Sequence, residues 1–536
     1  MTLPPGWLPA GADLGEDEQS PAGYAAVVRD LELDCLPHHH ISLIAEVNRR
    51  RTIDIDGRTI DVYPSRQVPS GDLVSQLVFA LRYDGVSLEV LAEAFRRMEV
   101  SHLVSAVREQ PTSSYLRRLW FFFEWLTEKR LGLPDLDVGN YVEALPSTAY
   151  LTLGSLKQPC LAVRSRRHRV LDNLLGTRDW CPIVRRHPQL PTPDQVAGLA
   201  GEAWAMLEDA DQDLLQRSIA YLYTKETKSS YLIEREEISG DRQQRFIGLL
   251  KHAHEGTIAP SKERLVELQQ AIVEPRYREG DWRSDQNYVG GTQPDFSEFI
   301  HYLPPRPEDV PAMMRGFVSM TRTLLSPGSD AVVDAISAAA IVGFSFVFIH
   351  PFDDGNGRLH RFLIHQVLAQ RGFTPRGTVL PVSAQILLDQ SAYDASLESF
   401  SQPVMDSVSY RIDESDGTVE VIGDSGNRYR YLDLTRQVLD LYTWIATTIR
   451  VELPGELRLL VHWDQAMKAM DEVVDMPQRK KHLFITLCRQ NGGRLSATKR
   501  ARHFAELGDD EVQALEGALS MAFSDRTGNG RSADRS

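Results

Sequence analysis

The sequence predicts a mainly α-helical protein, and three observations lead to that prediction. Apolar residues recur every three or four positions in the stretches 72–85 and 116–132 and through residues 195–255, which is the period of helices with one buried face. Residues 331–349 are apolar almost throughout. Alternating runs typical of strands are short and few. We therefore expect a helical fold with small hairpins between the helices.

Length and composition are those of a globular protein. The chain has 536 residues, 42% of them hydrophobic and 25% charged, which fits three or four domains. Its net charge of -15 argues against a protein that binds nucleic acid or an anionic membrane as a whole.

The cysteines and the N-terminus favour a cytoplasmic location. The N-terminus lacks a basic start followed by an apolar stretch, so we expect no secretion signal. The cysteines stand far apart without a CxxC pair, which favours reduced thiols over disulfides or a structural zinc site. They are Cys35, Cys160, Cys181 and Cys488.

The first 190 residues are expected to form a tail and one domain. Residues 1–20 are rich in Pro, Gly and acidic residues and predict a flexible tail. A helical N-terminal domain follows over 21–190, in which the alternating run RTIDIDGRTIDVY predicts a small hairpin with its turn at Asp56-Gly57. A proline-rich segment at 182–193 marks the end of this domain.

The apolar run 331–349 has almost the length of a membrane span. No aromatic belt or Lys/Arg cluster flanks it, and it runs directly into a polar, Gly-rich loop. We therefore expect a helix that is buried on all sides at the centre of a domain, and no association with a membrane.

The last third of the chain is expected to hold a connector, a module and a tail. Residues 406–450 predict a hairpin and helix connector, since the runs VSYRID, TVEVIG and RYRYLDL alternate on either side of Asp416-Gly417. A C-terminal module is expected over 451–525, and residues 526–536 are expected to be disordered.

The most informative stretch runs from His350 to Arg361 and reads HPFDDGNGRLHR. It joins the apolar helix to a second helix that begins near Arg358. Gly355 and Gly357 permit positive φ and close backbone approach, so backbone N–H groups converge at the positive end of the second helix and form an anion site. Arg358 and Arg361 lie on one helix face and both reach it. Two guanidiniums above an amide cluster favour a polyphosphate.

Two further side chains complete the chemistry. Asp354 places a hard oxygen ligand beside the anion site, as expected where Mg²⁺ bridges phosphates. His350 supplies an imidazole that can take a proton from an attacking hydroxyl. Together these groups predict phosphoryl or nucleotidyl transfer. The alternative is a hydrolytic metal cluster with Asp353, His360 and His365, but the two histidines are five apart and do not share a helix face.

The same string resembles the motif of the Fic family, HPFx(D/E)GNGRxxR, at every defined position. The resemblance implies a helical Fic core over about 195–405 that transfers AMP from Mg-ATP and expels pyrophosphate. His350 would deprotonate a Ser, Thr or Tyr hydroxyl of the target, Asp354 would hold Mg²⁺, and Phe352 would anchor the loop. The residues implied to contact phosphates are Gly355, Asn356 (near the α-phosphate), Gly357, Arg358 (β-phosphate) and Arg361 (γ-phosphate).

Two other features resemble parts of the family's site. Residues of about 277–291, with Tyr288, Val289 and Gly290, look like the Fic flap, a hairpin that aligns the target by main-chain pairing; an ordinary surface hairpin is the alternative. Tyr393 resembles the position whose ring lies near the adenine, although core packing explains it nearly as well.

An inhibitory helix is implied at about 226–238. Ser230 and Glu234 resemble the family's motif (S/T)xxxE(G/N), whereas Arg235 stands where Gly or Asn is expected. Glu234 would form a bidentate pair with Arg361 and exclude the γ-phosphate by occupying its site and by charge repulsion. A solvated helix face rich in charge is the alternative.

The C-terminal module carries a basic segment, residues 479–503, without an acidic residue. Helix, turn and helix in this order resemble a winged-helix-like module, which often accompanies Fic cores. Binding of DNA phosphates and docking on the acidic surface of this same chain are both open.

The sequence thus predicts an autoinhibited protein adenylyltransferase that uses Mg²⁺ and ATP. Removal of AMP, or transfer of another nucleotide or of phosphate, is the alternative at the same site. A nucleotide-sensing DNA-binding regulator is the alternative from another class. The expected partner is an unidentified protein substrate, with self-modification and a homodimer left open.

Overall fold

The computed structural model describes most of the chain, namely residues 3, 6–9, 11–12, 14, 19–55, 57–208, 212–236, 238–254, 260–292, 298–413 and 418–524. The turn residues Asp56, Asp416 and Gly417, the tail 526–536 and much of the tail 1–20, on which the sequence made predictions, lie outside these residues.

The described chain is mainly α-helical, as predicted. Its helices are α1 (Tyr24–Asp30), α2 (Leu73–Tyr83), α3 (Leu88–Arg97), α4 (Val100–Glu109), α5 (Ser114–Thr127), α6 (Pro193–Glu208), α7 (Gln212–Ile233), α8 (Gly240–Lys251), α9 (Lys262–Ile272), α10 (Val310–Leu324), α11 (Ala335–Ile349), α12 (Asn356–Gln370), α13 (Val382–Leu388), α14 (Gln390–Ser407), α15 (Gly426–Arg430), α16 (Thr435–Thr447), α17 (Leu453–Val473), α18 (Gln478–Gln490), α19 (Ala497–His503) and α20 (Asp509–Ala522).

The strands of the described residues form small sheets. They are β1 (Ser20–Ala22), β2 (His40–Ala45), β3 (Arg51–Ile55), β4 (Arg58–Pro64), β5 (Val142–Glu143), β6 (Val163–Ser165), β7 (Val170–Asp172), β8 (Val289–Thr292), β9 (Glu298–Tyr302), β10 (Ser409–Ile412) and β11 (Val419–Ile422).

The N-terminal part contains more β-structure than the sequence suggested. The predicted hairpin is present as β3 and β4, but it belongs to a four-stranded sheet of order β1-β2-β4-β3. After α5 the chain forms only the small sheet β5-β7-β6 and is otherwise irregular up to α6, so the prediction of helix up to about residue 180 was wrong there. Strand β2 is buried on both faces, which removes the alternation by which a strand is recognised.

The chain divides into two compact units. The larger comprises residues 1–201 and 223–446, and the smaller comprises residues 202–222 and 447–536. The larger unit therefore contains both the N-terminal part and the helices α8 to α15.

In the larger unit, the end of the N-terminal part packs into the helices that follow. Trp180 is fully buried, and its indole N–H donates to the hydroxyl of Ser345 on α11 at 3.0 Å. Gly316 on α10 lies so close to this segment that a Cβ built on it would be 2.6 Å from the backbone nitrogen of Trp180. The segment around Trp180 is therefore an integral part of this core.

Helix α11 is the apolar helix of the sequence. Asp334 caps its N-terminus by accepting from the Ser337 amide at 2.9 Å, and residues 336–349 are buried, as predicted for a central helix. No helix of the described residues combines the length and the apolarity that a membrane span requires. The helix packs along α12 and ends at His350.

The connector differs from the prediction in one place. VSYRID and TVEVIG supply the antiparallel pair β10 and β11, but the third alternating run, RYRYLDL, begins inside α15 instead of forming a strand. After α15, this run pairs with another segment through an isolated bridge between Asp433 and Ile183. Its apolar and polar residues therefore alternate as in a strand, although it belongs to no sheet.

The C-terminal module of the smaller unit consists of α17 to α20. Between residues 453 and 524 the described chain has no strand, so the wing expected of a winged-helix-like module has no counterpart there. Gly492 and Gly493, both with positive φ, form the predicted turn between α18 and α19. Part of the basic segment is neutralised inside the module, by the pairs Lys480–Glu506, Lys481–Asp471 and Arg500–Asp509.

Candidate active site

The loop 350–355 joins α11 to α12, and both of its ends have left-handed backbone. His350 ends α11 with φ +51°, and Gly355 precedes α12 with φ +92°. Only glycine adopts this conformation freely, and in a residue with a side chain it costs about 1–2 kcal/mol. His350 must therefore be held in place by its surroundings.

The side chain of Asn356 fixes the loop from inside. Its Oδ1 accepts from the amide of Phe352 at 3.1 Å, and its Nδ2 donates to the carbonyl of Phe352 at 2.7 Å. The Phe352 ring is fully buried beside Trp282 and Phe346. Because the Asn356 side chain is engaged with the loop, the groups left for a ligand here are the amides of the first turn of α12, which lack helical acceptors.

His350 presents one ring nitrogen as a base. Its Nδ1–H donates to the carbonyl of Val347 at 3.2 Å, so Nε2 is the nitrogen with the free lone pair. Burial lowers the pKa of His350 to about 4, and the nearby Arg283 guanidinium acts in the same direction. The imidazole is therefore neutral near pH 7, as a proton acceptor must be.

Asp354 lies at the mouth of the loop, with its side chain 44% exposed. Its Oδ1 accepts from Nη2 of Arg358 at 2.6 Å. Mg²⁺ is usually held by one or two carboxylates together with phosphate oxygens, so a single accessible carboxylate fits an ion that arrives with a nucleotide. The described residues contain no group of three His, Cys, Asp or Glu side chains that could hold a metal themselves.

The two histidines of the alternative metal cluster lie in separate surroundings. His360 is fully buried against the ring of Phe344, and burial lowers its pKa to about 3. His365 bonds through Nε2 to the carboxylate of Glu226 at 2.7 Å. Neither is placed to share a metal with Asp354.

Arg358 is 1% exposed and is surrounded by groups of opposite charge. Besides Asp354, it contacts Glu236, whose Oε1 lies 3.1 Å from Nη2. Its guanidinium also lies 5.1 Å from the centre of the Tyr231 ring, a cation–π distance. Two carboxylates thus occupy the donors that would face a phosphate.

Arg361 is equally buried and is bound by the end of α7. Its Nε donates to the hydroxyl of Ser230 at 2.8 Å, and its Nη2 donates to the carbonyl of Ser230 at 2.7 Å and to Oε1 of Glu234 at 2.8 Å. The predicted bidentate pair with Glu234 is therefore wrong, because Ser230 takes the Nε edge of the guanidinium.

Glu234 also covers the N-terminus of α12. A Cβ at Gly357 would lie 2.0 Å from Oε1 of Glu234, so the glycine is what permits the carboxylate to come this close. The carboxylate therefore occupies the place where an anion bound by α12 would sit.

A Schellman motif places Glu234 at the end of α7. Arg235 has φ +57°, the amide of Arg235 donates to Leu232 O at 2.9 Å, and the amide of Glu236 donates to Tyr231 O at 3.1 Å. These are the two bonds of that motif, whose left-handed position is usually Gly. Ser230 and Glu234 thus keep their geometry although Arg235 stands where the inhibitory motif has Gly or Asn.

Comparison with known proteins agrees with this geometry. Residues 259–368 match the model of the Fic/DOC family. The protein adenylyltransferases Fic of Drosophila sechellia and Drosophila ananassae are 26% and 28% identical over 176 and 183 residues, which are 33% and 34% of this chain and 27% and 28% of theirs. Residues 259–368 of this chain are therefore similar to the Fic/DOC family. The chain aligns with little more than a quarter of the length of those relatives.

Solved Fic structures are similar as well. A Fic domain containing signaling protein from Bacteroides thetaiotaomicron is 18% identical, with a TM-score of 0.34 over 49% of this chain and 96% of that one. A Fic family protein from Desulfovibrio desulfuricans is 17% identical, with a TM-score of 0.35 over 59% and 89%.

The hairpin predicted as a flap differs in its bounds from the predicted 277–291. Its strands are β8 and β9, which pair antiparallel with an irregularity between Val289 and Gly290, while Tyr288 lies just before β8. The tip, residues 293–297, is outside the described residues. The prediction ended too early because the returning strand β9 carries no Gly-rich signal.

A cavity of about 430 Å³ lies beside the Fic loop. It brings together residues that the sequence singled out separately, with Tyr393, 4% exposed, in its wall and packed against Trp444 with ring centres 5.8 Å apart. The predicted residues that line this cavity are Glu234, Val289, Gly290, His350, Gly357 and Tyr393.

Three residues of the Fic site were not found by sequence reasoning. Glu236 bonds Arg358, and Glu226, fully buried, accepts from His365 and from the Ser383 amide. A signal for Glu226 existed, since it precedes Ser230 by four residues and so shares its helix face. The third, Arg283, carried no signal in the sequence.

Proposed function

We propose that this chain transfers AMP from Mg-ATP to a Ser, Thr or Tyr hydroxyl of a protein and keeps itself inactive through Glu234. The observation that carries the proposal is the neutral imidazole of His350, which lines a cavity next to the N-terminus of α12 and two buried guanidiniums. The names of the Drosophila relatives, protein adenylyltransferase, support it.

The reaction would use groups of this chain, two of which, Arg358 and Arg361, must first exchange their carboxylate partners for phosphate oxygens. Nε2 of His350 accepts the proton of the target hydroxyl, whose oxygen forms a bond to the α-phosphorus. The bond between that phosphorus and the oxygen bridging to the β-phosphate breaks, and pyrophosphate leaves. Arg358, Arg361 and the first amides of α12 stabilise the charge on the phosphate oxygens.

Asp354 would hold the metal ion. A bound Mg²⁺ neutralises phosphate charge and orients the leaving group. To bind it, Asp354 must exchange its contact with Arg358 for the metal, which its 44% exposure permits.

Autoinhibition follows from competition for one guanidinium. Glu234 takes Nη2 of Arg361 and stands above Gly357. A γ-phosphate needs the same cation and would meet the negative carboxylate, so nucleotide and inhibitory carboxylate exclude each other.

The proposal also places the activity in the cytoplasm, which suits four cysteines that are all unpaired. Removal of AMP, transfer of another nucleotide and transfer of phosphate would use the same cradle and differ in the mass added to the target.

The test is incubation of Glu234→Gly in lysate with labelled ATP, GTP, UTP or CTP and Mg²⁺, followed by mass spectrometry. We expect a gain of one AMP on hydroxyl side chains from ATP alone, and no gain with the Glu234→Gly, His350→Ala double variant. Equal labelling by wild type and Glu234→Gly would remove the inhibitory role, and labelling that survives His350→Ala would remove the base.

A further inference from the structure

Arg283 is a buried cation beside the catalytic loop that the reaction above does not use. It lies between α9 and β8 and is 3% exposed. Its Nε donates to the carbonyl of His350 at 2.9 Å, its Nη1 donates to the carbonyl of Asp285 at 3.0 Å, and its Nη2 donates to the carbonyl of Pro305. Its own amide donates to the carbonyl of Pro351 at 2.9 Å.

These bonds hold the backbone on both sides of the His350–Pro351 peptide. His350 is in the left-handed region, where a side chain costs about 1–2 kcal/mol, and such backbone persists only when neighbours fix it. A single residue supplies two of the fixing bonds, one from its side chain and one from its main chain. The direction of the imidazole depends on this peptide, because Nδ1–H must reach Val347 O for Nε2 to face the cavity.

Stability alone is a poor reason for a guanidinium at this place. Among the described residues Arg283 forms no ion pair, and all its acceptors are neutral carbonyls. Burying an unpaired charge is costly, and burial lowers the pKa of Arg283 to about 10. A neutral side chain could fill the volume without that cost.

The charge acts on His350. The guanidinium lowers the pKa of the imidazole, in addition to the effect of burial, while Glu234 and Asp354 oppose it. A positive charge near the ring disfavours imidazolium and so keeps Nε2 free to accept a proton. Activation would remove Glu234, which leaves one carboxylate fewer to oppose the effect of Arg283 on the pKa of His350.

We propose that Arg283 is a positioning residue of the proposed reaction, which orients the general base His350 through the His350–Pro351 backbone and places a positive charge beside its imidazole. The inference rests on the proposed function, but part of its test does not depend on catalysis.

The experiment compares Arg283→Gln and Arg283→Lys, each in the Glu234→Gly background, with Arg276→Gln as a matched control because Arg276 precedes the predicted flap and its side chain is 78% exposed. Two quantities are measured: the kinetics of AMP transfer, and the pKa of His350 by NMR titration of the labelled imidazole without nucleotide. We expect both Arg283 variants to lose about a hundredfold in kcat, with KM for ATP unchanged, since Arg283 contacts the backbone of His350 and is not among the residues that line the cavity. The control should leave both quantities unchanged.

The two substitutions separate backbone geometry from charge. Arg283→Gln should raise the pKa of His350 towards its usual value and move the acid limb of the rate profile to higher pH. Arg283→Lys keeps the positive charge but cannot form the three side-chain hydrogen bonds of the guanidinium. We therefore expect it to lower kcat while the pKa of His350 stays low. It also serves as the milder variant if Arg283→Gln fails to fold.

Two results would overturn the inference. One is an unchanged pKa of His350 in Arg283→Gln, and the other is full kcat in Arg283→Lys. If Glu234→Gly itself transfers no AMP, the proposed function fails, but the titration still reports whether Arg283 governs the imidazole.

Discussion

Arg235 has the backbone conformation of a glycine. Its φ of +57° at the end of α7 costs a residue with a side chain about 1 kcal/mol compared with Gly. The cost falls on the segment that holds Glu234 against Arg361, so the last turn of the proposed inhibitory helix is weaker than it would be with Gly at this position.

Arg235→Gly should therefore strengthen inhibition. Relieving about 1 kcal/mol of strain in the inhibited state lowers basal AMP transfer about fivefold. The measurement is the rate of modification by the otherwise wild-type protein. Arg235→Ala is the control, because it removes the guanidinium but keeps the Cβ; a similar decrease in both variants would show that the side chain, and not the backbone, was responsible.

At the residue scale, the sequence pointed to the groups proposed to react but not to the groups that contact them. His350, Asp354, Arg358 and Arg361 stand in one contiguous string, so spacing alone brings them together. Arg283 reaches the same loop from 67 positions away, through carbonyl acceptors that every residue has, and no residue pattern marks such a bond. The second carboxylate, Glu236, could not be singled out for a different reason. It stands in a charged segment at the end of a helix, where any of several acidic residues could have faced solvent.

At the scale of elements, α7 and α12 are joined by a line of polar contacts. Glu226, Ser230 and Glu234 follow one another at intervals of four on α7, and they meet His365, Arg361 and the N-terminal turn of α12. Glu226 is fully buried and anchors α7, while Glu234 at the other end is 35% exposed. The inhibitory helix can therefore release its end without leaving the core.

Glu236 lies beyond the end of α7 and is a second carboxylate that covers the site. Its carboxylate bonds both Arg358 and Arg242. Glu234→Gly removes the carboxylate from Arg361 but leaves Arg358 covered, so the sequence motif accounts for only one of the two carboxylates that contact the proposed phosphate-binding cations.

Glu236→Gln should raise basal activity, and in the Glu234→Gly background it should lower KM for ATP. A partly exposed pair contributes about 1 kcal/mol, or about fivefold. Steady-state kinetics with varied ATP test this, with Glu267→Gln as the control, since Glu267 pairs with Arg264 and its side chain is 64% exposed. An unchanged KM in the double variant would mean that Glu236 does not compete with nucleotide.

The elements themselves were predictable to different degrees. Helix α11 and the start of α12 followed from an apolar run and a Gly-rich turn. Strand β2 was missed because burial on both faces hides its period, and the return strand of the flap was missed because nothing in residues 298–302 marks a turn or a Gly-rich approach.

For the molecule as a whole, the residues on both sides of the expected boundary near residue 190 belong to one compact unit, although the buried apolar residues between Trp7 and Ile183 form a hydrophobic cluster of their own. Trp180 belongs to the N-terminal part by sequence, yet it fills the space between α10 and α11. Such long-range packing leaves no signal in the local sequence, because a proline-rich segment indicates a loop whether or not a domain ends there.

Trp180→Ala should destabilise the larger unit by about 3–5 kcal/mol, the usual cost of removing a buried Trp. Urea unfolding followed by circular dichroism measures this. Leu388→Ala is the control, since Leu388 lies in the same unit and is 70% exposed, and its loss should cost under about 1 kcal/mol. Equal losses in the two variants would show that Trp180 is not part of this core.

The basic segment of the C-terminal module remains a prediction at this scale. Three of its cations are paired inside the module, which lowers the charge left for phosphates. If duplex DNA binds, affinity should fall steeply with salt, by a slope of about 0.9 for each phosphate neutralised.

The central claim is that residues 350–361 hold the phosphates of ATP once Glu234 is gone. The most direct measurement is a crystal structure of Glu234→Gly with Mg²⁺ and α,β-methylene ATP. The account predicts the γ-phosphate on Arg361, the metal on Asp354 and the α-phosphorus facing Nε2 of His350. An empty cavity at saturating nucleotide, or phosphates bound away from α12, would contradict it.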